Sequence, residues 1–329
     1  MQFGLFGGAR TKRGAGFEDS QGYDSFIDYV VEADRLGFKQ LFMVEHHFTG
    51  HGQVSASMTV LAYLAARTKH IRLGTAVVVL PWHNPVLIAE QAATLDLLSG
   101  GRFDFGVGKG YRQAEFNGFV IPIGEATERF DEAMDVIRKA WTSEGRFSHR
   151  GKRWHYDNIV VEPEPLQRPH PPLWLAAGSP DSIKRAAREG YNLLLDQLAQ
   201  TDQIIRRIAL FRAECESIGR LYHPGMVATA RPLQMIHSES ERAAAYETRK
   251  RVLATIGDLA RDKLPDRVED DTAPLLGTPD EVIARLKELE AGGATNILLV
   301  DPNASVNNLR AFAREVMPAF SAQRSAAAD

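Results

Sequence analysis

Across 329 residues, 39 lysines and arginines stand against 42 aspartates and glutamates, a formal charge of −3 that supplies no basic face for nucleic acid. The composition, 44% hydrophobic and 25% charged, is that of a globular chain with a large core and excludes disordered and fibrous classes. One cysteine, Cys215, can form neither an internal disulfide nor a thiolate metal cluster, and no export signal or run of about twenty apolar residues is present. A cytoplasmic protein without membrane or nucleic-acid partners is expected.

Short runs rich in Val, Ile, Leu and Phe alternate with segments of helical spacing, the pattern of βαβ units around a parallel sheet. Strands are predicted at residues 2–6, 40–44, 71–79, 102–107, 173–176, 192–195, 226–235 and 296–300. Before the second strand, Tyr23, Ile27 and Val30 mark a helical stripe that Asp34 interrupts and Gly37 ends. A further helix is read over 126–141. Residues 143–172 break the rhythm, and with their Pro-rich end (163–172) are expected to form a small hairpin and an extended connector. Residues 255–276, charged and carrying Pro265 and Pro274, read either as a solvated loop or as a lid over the active end. Near the end, Thr278-Pro279-Asp280-Glu281 is a capping box with Pro at the first helical position, and Gly292-Gly293 stops that helix before the last strand. Residues 325–329 read as a flexible tail. Eight alternations favour a closed (β/α)8 TIM barrel, one domain over 1–329, rather than an open doubly wound sheet.

In barrel enzymes the reacting groups sit at the C-terminal ends of strands. Glu45-His46-His47 follows the second strand, where His46 is suited to moving a proton near neutral pH. Glu45, His46, His47, His51 and His83 are also possible metal ligands, but adjacent histidines on a strand end point in opposing directions, and no cage is completed elsewhere. No metal is therefore expected. After the third strand, Leu80-Pro81-Trp82-His83-Asn84-Pro85 forms a stiff loop from which Trp82 and His83 can overhang a flat ligand or simply pack. Gly106-Val107-Gly108-Lys109-Gly110-Tyr111 closes the fourth strand: bare backbone lets a ligand approach closely, and Lys109 makes an anion the natural guest. Ala177-Gly178-Ser179-Pro180 ends the fifth strand, with Ser179 as a helix N-cap whose neighbouring amides suit phosphate. Ordinary turns and caps explain the same residues, so the pair of adjacent strand ends says more than either alone. Cys215, between Glu214 and Glu216, is not expected to be a nucleophile.

Taken in order, Val44-Glu45-His46-His47-Phe48-Thr49, the run Leu73 to Pro81, Gly101-Arg102-Phe103-Asp104-Phe105-Gly106 with Lys109-Gly110, Gly277-Thr278-Pro279-Asp280-Glu281 and Val316-Met317-Pro318 resemble the bacterial luciferase family of flavin-dependent monooxygenases. The resemblance implies FMN across the barrel mouth, a non-prolyl cis peptide at Ala76-Val77, a catalytic role for His46, and phosphate contacts from Lys109 and Ser179. Where the luciferase α subunit has an arginine, Lys109 keeps the charge but loses the two-pronged fork, and Gly178 replaces a glutamate of the family. The implied activity is a two-component monooxygenase: reduced FMN from a separate flavin reductase reacts with O2 to a flavin hydroperoxide and oxygenates a small, mostly apolar, aldehyde-like substrate. A homodimer is implied as well. The cofactor set is expected to include Ala76, Val77, Gly108, Lys109, Gly110, Tyr111, Ala177, Gly178 and Ser179, with Glu45, Trp82 and His83 beside the substrate. A deazaflavin-dependent oxidoreductase, a metal-dependent barrel hydrolase and a non-catalytic flavin-binding subunit are the alternatives.

Overall fold

The computed structural model describes residues 1–11, 19–50, 52–256, 265 and 267–321. His51, most of 257–266 and the 325–329 tail lie outside the described residues. In chain order the elements are β1 (Gln2–Gly7), α1 (Asp19–Leu36), β2 (Gln40–Met43), α2 (Ser57–Arg67), β3 (Arg72–Thr75), β4 (Val78–Val79), α3 (Pro85–Leu98), β5 (Phe103–Gly108), α4 (Gln113–Gly118) and α5 (Ala126–Thr142). Then follow β6 (Phe147–Arg150), β7 (His155–Ile159), β8 (Leu173–Ala176), α6 (Pro180–Arg188), β9 (Asn192–Leu195), α7 (Thr201–Ser217), β10 (Val227–Met235), α8 (Glu239–Ile256), β11 (Leu275–Gly277), α9 (Pro279–Ala291), β12 (Asn296–Val300) and α10 (Val306–Glu315). The parallel core strands alternating with helices make this a (β/α)8 barrel, and the expected strands at 173–176, 192–195 and 296–300 are reproduced residue for residue. No helix among the described residues is long and apolar enough to cross a membrane.

The chain divides into two compact units. In the unit formed by Gly7–Asp34 and Gln40–Ala176, parallel pairings run from β2 to β3, β5 and β8. The strand expected over 71–79 is interrupted. Gly74 pairs with Asp104 and Val78 with Val107, so residues 75–77 face only 105 and 106. The extra residue is a bulge, and the Thr75 hydroxyl bridges it: Oγ1 donates to the Gly106 carbonyl at 2.7 Å and accepts the Gly106 N–H at 2.9 Å. The Ala76–Val77 peptide within it is cis. Gly74 leaves the space that the Phe42 ring fills, since a Cβ there would lie 2.6 Å from Phe42 Cδ1. Phe42 in turn meets Trp174 edge-on at 5.0 Å.

Polar residues lock the opposite, N-terminal side of these strands. Asp34, the polar break in the α1 stripe, accepts the backbone N–H groups of Lys69, His70 and Ile71 at 2.7–2.9 Å. Burial raises its pKa, but those bonds prevail and hold it below the usual range. Arg72 grips the buried Asp104 carboxylate with Nε and Nη2, and Arg102 donates to four backbone carbonyls at the ends of α2 and α3 and beside them. The expected hairpin is β6 paired antiparallel with β7, and 160–172 is the connector.

In the other unit, Met1–Phe6, Arg35–Lys39 and Ala177–Asp329, β1 pairs with β12, β12 with β10, and β10 with β9 and β11, all parallel. Gly37 ends α1 at φ +87, the left-handed conformation that a helix stop favours. Phe3 packs edge-on against Phe312 and Phe320. Thr278 and Glu281 make the expected reciprocal capping box. Within the stretch read as loop or lid, Thr272 exchanges hydrogen bonds with Gln200 and Thr201, Asp271 pairs with the buried Arg249 at 2.7 Å, and Ala273 and Leu275 are fully buried.

Candidate active site

The chain leaves β2 at Met43 and runs irregularly past Glu45, His46 and His47, tied down by Val44 N–H to the Gly7 carbonyl and His46 N–H to the Val54 carbonyl, both at 3.0 Å. The two histidines diverge, as alternation along an extended chain requires. His46 Nδ1 lies 3.0 Å from Glu115 Oε1, while His47 Nε2 lies 3.1 Å from Glu45 Oε1. Glu115, at the C-terminal side of β5 in α4, is buried and also accepts the His47 backbone N–H at 3.0 Å.

Glu45 is a hub. Its Oε1 accepts from His83 Nε2 at 2.7 Å, from His47 Nε2 at 3.1 Å and from Trp82 Nε1 at 3.1 Å. Burial raises the pKa of this carboxyl, yet the donors, above all His47 and His83, bring it down to about 2, so it is an anion at any physiological pH. The atoms of Glu45, His47 and His83 that could ligate a metal lie within 4.8 Å of one another, a convergence that weighing His46 against His47 does not reveal. Each imidazole is engaged by the same carboxylate oxygen. Trp82 stacks on Phe119 at 5.1 Å and meets Phe116 edge-on at 5.0 Å, and the half-exposed Phe48 leans on Phe119 at 4.9 Å. Trp82 and His83 therefore do more than overhang a ligand: they are bound into the Glu45 network.

The glycine run after β5 is bare by necessity. A Cβ on Gly108 would lie 2.5 Å from Val77 Cγ2, and one on Gly110, at φ +75, would lie 2.8 Å from Val79 Cγ1. Lys109 is exposed, and its Nζ meets the neutral Thr127 hydroxyl at 3.1 Å, so that bond leaves its charge available to an anion. Tyr111 is exposed as well, and Ala76 and Val77 are half-buried at the bulge. β8 pairs with β5, and the chain continues from β8 into Ala177, Gly178 and Ser179. Ser179 caps α6, its side chain accepting the Ser182 N–H, with Pro180 at the first helical position. Ala177 and Gly178 are buried, and Ala177 N–H reaches the Leu194 carbonyl at 3.2 Å. Cys215 is fully buried in α7, and burial pushes its thiol pKa up, as a non-nucleophilic cysteine requires.

Residues 1–296 match the model of the luciferase-like monooxygenase family. This chain belongs to that family. Among its relatives, the oxygenase component of the flavin-dependent trigonelline monooxygenase of Acinetobacter baylyi is 29% identical over 91% of this chain and 90% of its own length. The monooxygenase RslO1 of Streptomyces bottropensis superposes with a TM-score of 0.84 at 27% identity, covering 98% of this chain and 100% of that one. The oxygenating constituent of 3,6-diketocamphane monooxygenase from Pseudomonas putida, in complex with FMN, shares the fold at a TM-score of 0.82 and 21% identity, over 97% of this chain and 98% of that one. The chain is thus a flavin-dependent oxygenase by family.

For a luciferase-like monooxygenase the residue that sequence reasoning missed is Glu115. It stands 69 residues from its partner His46 and in a helix of six residues, too short to show a periodic pattern. The only available signal was an acid close to the glycine run after β5, flanked by Phe116 and Phe119. Thr127, the partner of Lys109, carried no signal.

Proposed function

We propose that this chain is the oxygenase component of a two-component FMN-dependent monooxygenase, working as a homodimer. It takes reduced FMN from a separate flavin reductase and uses O2 to oxygenate a small, mostly apolar, aldehyde-like substrate. The observation that carries the reading is the His46–Glu115 pair: an imidazole held by a buried carboxylate beyond the C-terminal end of β2, where barrels do chemistry. The residues fit the cofactor's charged end. Gly108 and Gly110 carry no side chain because Val77, and Val79 with Phe116, pack directly against them, and Lys109 between them offers a positive charge whose hydrogen bond is to a neutral hydroxyl. Tyr111 flanks them, the resemblance gives Ala177, Gly178 and Ser179 the same task, and Ala76 and Val77 would line the ring. Bound reduced flavin supplies the two electrons that activate dioxygen. His46 holds or moves a proton at its imidazole, Glu115 orients it, and the Trp82, Phe116 and Phe119 rings exclude water.

Oxygen consumption with reduced FMN, screened across aldehydes, terpenes, amines and sulfur compounds, tests the reading. His46→Ala is expected to lower turnover by about a hundredfold while FMN binding stays as in the wild type, and an unchanged rate would remove His46 from catalysis. A deazaflavin is the competing cofactor, because an F420-dependent secondary alcohol dehydrogenase shares the fold at a TM-score of 0.75 and 19% identity. Reconstitution with each cofactor, followed by absorbance, decides between them. Activity lost to a chelator would favour a barrel hydrolase instead.

A further inference from the structure

Two buried carboxylates hold the neighbouring histidines by opposite ring nitrogens. Glu115 Oε1 faces His46 Nδ1 at 3.0 Å, and Glu45 Oε1 faces His47 Nε2 at 3.1 Å. A backbone N–H can only donate, so the His47 amide at 3.0 Å already makes Glu115 Oε1 an acceptor. With Glu115 only 2% exposed, water competes little for that oxygen. A neutral imidazole carries one proton, and the alternative tautomer would aim a nitrogen lone pair at carboxylate oxygen.

We propose that Glu115 is the positioning residue for His46. It fixes the Nδ1–H tautomer and leaves the Nε2 lone pair as the basic nitrogen of that ring, while Glu45 fixes His47 in the opposite, Nε2–H tautomer. Among the described residues, His46 Nε2 has no hydrogen-bond partner, and the side chain is 15% exposed, so Nε2 remains free to exchange a proton. When Nε2 takes up a proton from a reacting group, the ring becomes an imidazolium facing the Glu115 carboxylate, and the same proton is returned later; nothing else is consumed. His83, at 2.7 Å from Glu45, shares the Nε2–H tautomer of His47. Of the three imidazoles in this cluster, His46 alone presents Nε2 as a base. The catalytic use of this arrangement rests on the function proposed above, whereas the tautomers stand apart from it.

Long-range 1H–15N spectra of the flavin-free protein with 15N-labelled histidines, recorded at mildly alkaline pH, read the tautomers directly, and His46→Ala and His47→Ala supply the assignments. The expected spectrum has a protonated Nδ1 on His46 and a protonated Nε2 on His47. A protonated Nε2 on His46, or an average over both forms, would overturn the proposal. The second measurement is the rate at which protein-bound reduced FMN is reoxidised by O2. Glu115→Gln is expected to change it by about tenfold in the same direction as His46→Ala, with the FMN dissociation constant unchanged, and Glu115→Asp to restore it in part. Added to His46→Ala, Glu115→Gln should have no further effect, whereas two independent, multiplying effects would overturn the assignment. The spectra need neither flavin nor turnover. A protein with these tautomers that fails to oxygenate anything would refute the function and leave the positioning role of Glu115 in place.

Discussion

Replacing Glu45 with glutamine keeps the volume of the hub and removes its charge. Three donors converge on its Oε1, from His83 at 2.7 Å and from His47 and Trp82 at 3.1 Å, and the carboxyl is 4% exposed. They carry its pKa from an ordinary 4.5 to about 2 despite burial, which acts the other way. At about 1.36 kcal/mol per tenfold change in proton affinity, that displacement is worth about 3 kcal/mol of stability at neutral pH. Because the folded-state value lies below the unfolded one, this contribution is complete above about pH 4.5 and drains away as the solution is acidified toward about pH 2. Urea unfolding of the wild type and Glu45→Gln measures it, the other acids titrating alike in both proteins. The gap between them should be about 3 kcal/mol near pH 7 and less than half of that at about pH 3. A gap that is absent, or that does not change with pH, would refute the hub as an ionised acceptor of three donors.

Lys109→Ala should weaken FMN binding by about tenfold and flatten its salt dependence, read by fluorescence titration, since a charge-assisted contact to phosphate is lost; wild-type affinity would exclude Lys109 from the site. Asp34→Ala should cost about 2 kcal/mol by urea unfolding, because three backbone N–H groups lose a charged acceptor. Its folded-state pKa is depressed, so this loss should shrink as the pH falls through and below the ordinary aspartate range. Cys215, buried with a raised pKa, should resist a thiol reagent in the native protein and react at once in denaturant.

What could be read from the sequence was local. The capping boundary at Thr278 needs only Pro279 and Glu281, and the strand at 296–300 is a short apolar run after two glycines, so neighbours in sequence settle both. The expected strand over 71–79 is mostly apolar as well, Arg72 and Thr75 apart, and nothing in its pattern marks the bulge. What breaks it is the Thr75 hydroxyl standing in for ladder hydrogen bonds to Gly106, a residue 31 positions away. Arg231 hides for a similar reason. It sits in the apolar run of β10, fully buried, and donates to the Ala199 carbonyl at 2.6 Å, while burial lowers its pKa to about 10. Such partners are brought together by folding, and a single sequence carries no trace of their pairing.

The same limit explains why Glu45-His46-His47 reads as one motif but divides into two devices. Its spacing alone predicts that His46 and His47 face apart; it cannot say what each one meets. Glu45, one strand position from His46, is claimed by His47, His83 and Trp82, and its low pKa makes it a fixed anion that braces the aromatic wall. On the function proposed above, the proton chemistry falls to His46, the histidine whose carboxylate comes from elsewhere. Glu115 reaches His46 Nδ1 and the His47 amide through a single oxygen, so the loop that carries the imidazole and the ring itself are held by one side chain. A residue that orients both the backbone and the base of a site tolerates little displacement, because misplacing a proton acceptor by about 1 Å costs on the order of a hundredfold in rate. On that proposal, the short α4 helix is as much a part of this chain's site as the strand end it faces.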